Sequence, residues 1–295
     1  MRVPDEVRQC VVFVGLPVSQ PNGQVALSFK GTAFFVAVPS AVIPGNSYMC
    51  LVTAKHVAVA LEGKPFLVRV NTKDGGSQLI RGEGAKWWYH PIDSSVDVAV
   101  IPWVPPEQVE YIPIPDTMFL SDEIIRSKGI GTGDEVFITG LFAYLAGSSR
   151  NQPIIRMGNI AMMPGEPVVT KEFGNIEAYL IEARSIGGLS GSPAFVRETS
   201  PFGRVGAFYF LGLMHGHWDI PPESKNDQLV MDSDKNGQVN IGIAIVIPAK
   251  KILEVLNQPA LVQARKQNDE NWQKQHTPTL DDQIKLSEQK EETPK

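Results

Sequence analysis

From the start of the chain to about Ile247, short runs of β-branched, aromatic and aliphatic residues are cut apart by Gly, Pro, Asn and Asp. Such runs read as strands separated by turns, because branched side chains suit a pleated surface and the breakers supply turn geometry. Strands are predicted over 11–16, 25–36, 50–53, 66–70, 96–101, 135–139, 177–182, 207–214 and 240–246. Periodicity alone does not separate a sandwich from a barrel. Around 102–127 the segments P-P-E and I-P-I-P-D interrupt the pattern. Proline removes a ladder donor, so this stretch reads as the connection between two β halves. Pro248 opens a helical segment over 249–256, with Ile252, Val255 and Leu256 on one face. Beyond Pro259 the chain turns polar, and from about Gln267 a frayed helix and then disorder are expected.

The composition sets few limits. With 295 residues, 43% hydrophobic and 20% charged, the chain can bury a sizeable core. A formal net charge of -5 gives no electrostatic case for nucleic acid or an anionic membrane surface. No apolar run is long enough for a membrane helix. The first apolar run, over 10–14, is preceded by Asp5 and Glu6, so it reads as a strand and not as an export signal. Cys10 and Cys50 are the only cysteines. Two thiols in a reducing, cytoplasmic compartment are expected, with a bridge between them left open.

The candidate chemistry centres on R-S-I-G-G-L-S-G-S-P-A-F, residues 184–195. Glycines let a backbone turn with φ > 0 and approach another group closely. A serine on such a turn can present its hydroxyl beside amides aimed at a developing oxyanion, as acyl transfer requires. Upstream, L-V-T-A-K-H ends at His56, and V-D-V-A-V-I carries Asp97. A histidine, an aspartate and Ser190, in that order, supply a base, its orienting acid and a nucleophile. Asp93 is the rival acid, and Ser185 and Ser192 are the rival hydroxyls.

In these segments the chain resembles trypsin-fold (chymotrypsin-like) serine peptidases, closest to bacterial V8-type glutamyl endopeptidases and HtrA-type protease domains. The resemblance is carried by K-G-T-A-F-F-V (30–36), T-A-K-H (53–56), D-V-A-V (97–100), G-L-S-G-S-P (188–193) and N-I-G-I-A-I-V-I-P (240–248). It implies an all-β fold of two six-stranded antiparallel β-barrels with a C-terminal helix and a polar tail. Residues 1–115 would form the first barrel with His56 and Asp97, and 116–257 the second with Ser190 and the closing helix. Residues 258–295 would be the tail. It further implies a serine endopeptidase working through an acyl-enzyme, with no metal or organic cofactor and a polypeptide substrate. The backbone N–H groups of Gly188 and Ser190 would form the oxyanion hole. Arg184, Ser185, His215, Gly216 and His217 would line the substrate pocket.

The pattern is broken at Leu189, where trypsin-like zymogens carry an aspartate that pairs with a freshly cut N-terminus. Leucine cannot make that ion pair, so the oxyanion loop needs other contacts or an activating protein partner. A cationic or histidine-lined pocket would favour acidic side chains. A catalytically silent binding module on the same fold is the rival reading. D-S-D-K-N-G, over 232–237, resembles half of a calcium loop, but Ile243 stands where a bidentate Glu is needed, so it reads as a hairpin turn. W-W-Y-H-P, over 87–91, reads as an aromatic strand packed in the first barrel, with a peptide-binding wall as the alternative.

Overall fold

The computed structural model describes residues 3–21, 23, 25–170, 173–184, 187–199, 206–220 and 239–276. A short helix, α1 (Glu6–Gln9), leads into the first β half. That half contains β1 (Val11–Ser19), β2 (Val25–Pro39), β3 (Ser47–Thr53), β4 (Leu67–Asn71) and β5 (Ser77–Arg81). It is completed by β6 (Trp88–Tyr89), β7 (Ala99–Pro102) and β8 (Ile114–Pro115). They form one eight-stranded sheet in the order β5-β4-β1-β2-β3-β7-β6, with β8 pairing β2 in parallel. Helix α2 (Lys55–Leu61) follows β3 directly.

A 3₁₀ turn (Asp116–Met118) and α3 (Asp122–Lys128) make the connection that the prolines announced. Ser121 caps α3 by accepting the Ile124 N–H, and Gly129 ends it at φ 65°. The second half closes into a six-stranded barrel. Its strands are β9 (Glu135–Gly140), β10 (Ile154–Met162), β13 (Tyr179–Glu182), β14 (Pro193–Arg197), β15 (Phe208–Ile220) and β16 (Val239–Pro248). The hairpin β11 (Val168–Thr170) and β12 (Gly174–Ile176) stands apart from it. The expected all-β architecture in two halves with a C-terminal helix is present. The second barrel closes at six strands, while the first half spreads over eight because two-residue strands extend it.

One hydrophobic cluster crosses between the halves. It joins Phe13, Phe34, Val52 and Leu61 to Phe195, Phe210, Leu213, Ile245 and Ile247. Phe34 and Phe210 face each other at 5.4 Å between ring centroids. The dry seam fixes the halves against each other, since a close-packed interior yields little to strain. Trp87 is buried beside Phe66, as expected of a packed aromatic strand. Both cysteines are free and buried. Burial pushes the Cys10 thiol far up and the Cys50 thiol up to about 11, so neither is a ready nucleophile.

Helix α4 (Ala249–Leu256) follows Pro248 and buries Ile252, Val255 and Leu256, as its apolar face predicts. Helix α5 (Pro259–His276) differs from expectation, running on through Gln267 where fraying was expected. The reason is polar docking that periodicity does not report. Asp269 is buried and accepts hydrogen bonds from Ser40 Oγ (2.6 Å) and Tyr48 Oη (2.5 Å). Arg265 Nη1 caps the Leu256 carbonyl at 2.8 Å. The expected disorder after 276 and the calcium-like stretch 232–237 lie outside the described residues.

We expect Asp269→Ala to lower the unfolding free energy by roughly 1–3 kcal/mol, because the half-buried Ser40 and Tyr48 hydroxyls lose a charged acceptor, Tyr48 keeping only the Arg265 carbonyl. Denaturant titration monitored by circular dichroism would read this. An unchanged midpoint would mean that α5 adds nothing to the fold.

Candidate active site

His56 lies in the first turn of α2, directly after β3. Asp97 lies two residues before β7 and is fully buried. Since β3 and β7 are paired, with Thr53 opposite Ala99, the two side chains emerge from the same end of adjacent strands. His56 Nδ1 is 2.8 Å from Asp97 Oδ2, and the His56 backbone N–H donates to Asp97 Oδ1 at 2.9 Å. An ionised carboxylate only accepts, so the proton on the His56 ring sits on Nδ1 and Nε2 faces away with its lone pair.

Ser190 arrives from the other half. Its carbonyl accepts the Thr32 N–H at 2.9 Å, tying the Ser190 loop to β2 of the first sheet. The neighbouring Gly191 N–H donates to the Met214 carbonyl, and the Ser192 carbonyl accepts the Met214 N–H, both at 2.8 Å. Glycine is required at 191 on two counts. Its φ is 81°, and an added Cβ would lie 2.2 Å from the Thr32 carbonyl and 2.4 Å from Thr53 Oγ1. This close approach sets Ser190 beside the end of β3, from which His56 follows. Ser190 Oγ donates to the His215 carbonyl at 3.3 Å.

Thr32, fully buried, links the halves at the loop that carries Gly188 and Ser190. Its Oγ1 donates to the Gly188 carbonyl and accepts the Leu141 N–H, both at 2.9 Å. Gly188 has φ 102°. Leu189 is buried in the core of the second barrel, 1% exposed. The loop is therefore held by a hydroxyl bridge and an apolar anchor, where the zymogen aspartate would have used an ion pair.

The structure also shows a contact that the sequence reading did not anticipate. His215, expected in the substrate pocket, has its Nδ1 2.6 Å from Asp97 Oδ2, the same oxygen that His56 uses. The two imidazoles stand nearly perpendicular, 5.6 Å apart. Phe173, at the tip of the β11–β12 hairpin, packs edge-on against both, 6.4 Å from His56 and 5.4 Å from His215. Gly216 and His217 continue along β15 opposite Ile245 and Ala244. Arg184 is exposed, and Ser185 lies outside the described residues. The rivals fall elsewhere. Asp93 accepts from the Ser95 N–H and Oγ in its own turn, and Ser192 is fully buried against Gly140.

Burial pushes the Asp97 carboxyl toward its neutral form. Hydrogen bonds from His215 and His56, and the charge these rings can carry, pull the other way and prevail, holding it below the ordinary carboxylate value. The sign of its contribution to stability follows. A depressed native value adds stability that is complete above the unfolded value and disappears as pH falls through the native one. His56, Asp97 and His215 also offer three atoms within 4.8 Å of one another, a spacing that metal ligands can have. Both ring nitrogens point at the carboxylate oxygen itself, at hydrogen-bond lengths shorter than the ligand separations a tetrahedral zinc imposes.

No family model matches the sequence, and no curated protein sequence matches it either. Solved structures do match. The MamO protease domain from Magnetospirillum magneticum, in its apo form, superposes with a TM-score of 0.52 at 15% identity, over 86% of this chain and 98% of that one. The HtrA-type protease AlgW with a decapeptide gives a TM-score of 0.51 at 18% identity, over 88% of this chain and 66% of that one. The chain has the trypsin-like serine peptidase fold.

Two outcomes are expected. Thr32→Val, which keeps the shape and removes the hydroxyl, should cost roughly 1–3 kcal/mol by leaving the Leu141 N–H without its acceptor; equal denaturation midpoints would argue against the bridge. For Asp97→Asn, the stability difference from wild type should shrink as pH falls below the ordinary carboxylate value of 3.8, where the native carboxylate becomes protonated. Denaturation curves over a pH series would show a difference independent of pH if the carboxylate's charge is irrelevant.

Proposed function

We propose that the chain is a serine endopeptidase in which Ser190 attacks a peptide carbonyl, His56 takes its proton and Asp97 stabilises the resulting imidazolium. The observation that carries this reading is the buried Asp97 carboxylate, which holds His56 through Nδ1 and leaves Nε2 free of a proton. Packing does not need an ionised group there; burying a charge costs several kcal/mol unless it is paired. The fold shared with HtrA-type domains supports the reading, and AlgW is itself recorded with a decapeptide.

The chemistry would run as follows. His56 Nε2 accepts the Ser190 hydroxyl proton as Oγ bonds to the carbonyl carbon. The tetrahedral oxyanion is met by the backbone N–H groups of Gly188 and Ser190. His56 then gives the proton to the leaving amine, and a water repeats the sequence to release the acid. Ser190 Oγ must first leave the His215 carbonyl, a weak bond at 3.3 Å. A polypeptide substrate would lie across the seam between the halves, with Arg184, Gly216 and His217 near the side chain before the scissile bond. Acidic side chains would suit such a surface, and an activating protein partner could act on the β11–β12 hairpin.

A catalytically silent binding module is the second reading. It is favoured by Phe173, which stands against both imidazoles where a substrate main chain would pass. A fluorophosphonate probe separates the two. Wild type should be labelled at Ser190, Ser190→Ala should take no label, and Asp97→Asn should slow labelling by about 10³–10⁴-fold. A folded wild type that stays unlabelled, with and without cell extract, would establish the silent module instead.

A further inference from the structure

The bond from His215 to Asp97 has a specific origin in the backbone. Between Met214 and Gly216 the pairing of β15 with β16 slips: Met214 is opposite Val246 and Gly216 opposite Ile245, so His215 is the extra residue of a β-bulge. Bulges re-aim a side chain out of the regular alternation. Here Met214 stays in the barrel core, fully buried, while His215 reaches across the seam to a carboxylate of the other half.

We infer that His215 is a positioning residue that sets both the orientation of Asp97 and the proton affinity of His56, through a single carboxylate oxygen shared by two imidazoles. This rests on the reading of His56 as the base. Asp97 Oδ2 accepts from His215 at 2.6 Å and from His56 at 2.8 Å, while Oδ1 accepts the His56 backbone N–H. Three donors thus fix a carboxylate that touches no water. The same residue holds Ser190 Oγ through its carbonyl. One bulged residue therefore contacts two members of the site, with side chain and main chain respectively.

The second donor has a calculable direction. Each hydrogen bond into Oδ2 draws negative charge away from the face that must stabilise a protonated His56. With His215 in place the carboxylate is a weaker partner, and His56 releases its proton more readily. Among the described residues, the groups that face His215 are Asp97, His56 and Ser190, with Phe173 packed edge-on against its ring. Lys55 lies beyond that ring, its Nζ 5.7 Å from the Phe173 centroid, and His217 follows on β15. Asp97 is the only one of these that carries negative charge, so its division between two rings governs the balance.

The test compares His215→Phe, which keeps a ring and removes the donor, with His215→Asn, whose amide nitrogen can stand where Nδ1 stood. Two readouts are needed, imidazole titration by NMR and the pH profile of fluorophosphonate labelling. Wild type should show two downfield Nδ1–H signals, both absent in Asp97→Asn. In His215→Phe one signal should vanish and the His56 titration midpoint should rise. The acid limb of labelling should rise with it, and the plateau rate should fall about tenfold or more, part of the ~10²–10⁴ that a positioned base supplies. His215→Asn should return both midpoints toward wild type. A His56 midpoint unchanged in His215→Phe overturns the inference, whatever the labelling does. A shifted midpoint in a protein that never labels would keep His215 in this role and reject the peptidase reading.

Discussion

A carboxylate with no access to water must be surrounded by donors, and at Asp97 that requirement organises both halves of the molecule. Two of its three hydrogen bonds come from His56, which β3 and α2 supply, and the third from His215 on the second barrel. Removing one partner of a buried charge leaves a penalty that the rest of the site cannot absorb. The β3–β7 pairing, the bulge in β15 and the packing of the two halves must therefore be right together for Asp97 to stay ionised.

The Ser190 loop meets a second constraint, made of backbone. Ser190 is held on one side by the Thr32 N–H and on the other by the paired hydrogen bonds of Gly191 and Ser192 with Met214. Any side chain at 191 would collide with β2 and β3. The Thr32 hydroxyl then joins the Gly188 carbonyl to Leu141, so the loop that would receive an oxyanion is tied to both halves. Leu189, sunk in the core of the second barrel, anchors the same loop.

Much of this was legible in the chain. Strong strands such as 11–16 and 135–139 announce themselves by β-branched runs, and the helix after Pro248 by its apolar face. His56, Asp97 and Ser190 stand out because each is framed by residues whose presence makes sense only beside the others. Several elements left no such trace. Strand β10 reads I-I-R-M-G-N-I-A-M, with glycine and polar residues in a half-exposed strand, so its pattern is weak. Helix α5 is polar on nearly all faces and is kept by Asp269, one buried acid among many exposed ones. The role of His215 was hidden for a different reason. A bulge changes which face a side chain takes, and no periodicity in L-M-H-G-H-W reports one.

The seam explains why such a site can tolerate two imidazoles on one acid. The cluster that includes Phe34, Phe195, Phe210 and Leu213 lies beneath it, apolar and buried, so the halves are close-packed at that depth. In a low-dielectric setting every hydrogen bond to Asp97 counts for more, and so does every one left unmade. A mobile surface loop could not hold His215 within 2.6 Å of a charge already shared with His56. A bulged strand whose neighbouring Met214 is locked in the barrel core can, and it leaves Ser190 under the same residue's carbonyl. The geometry of the site is thus a property of the packing between halves.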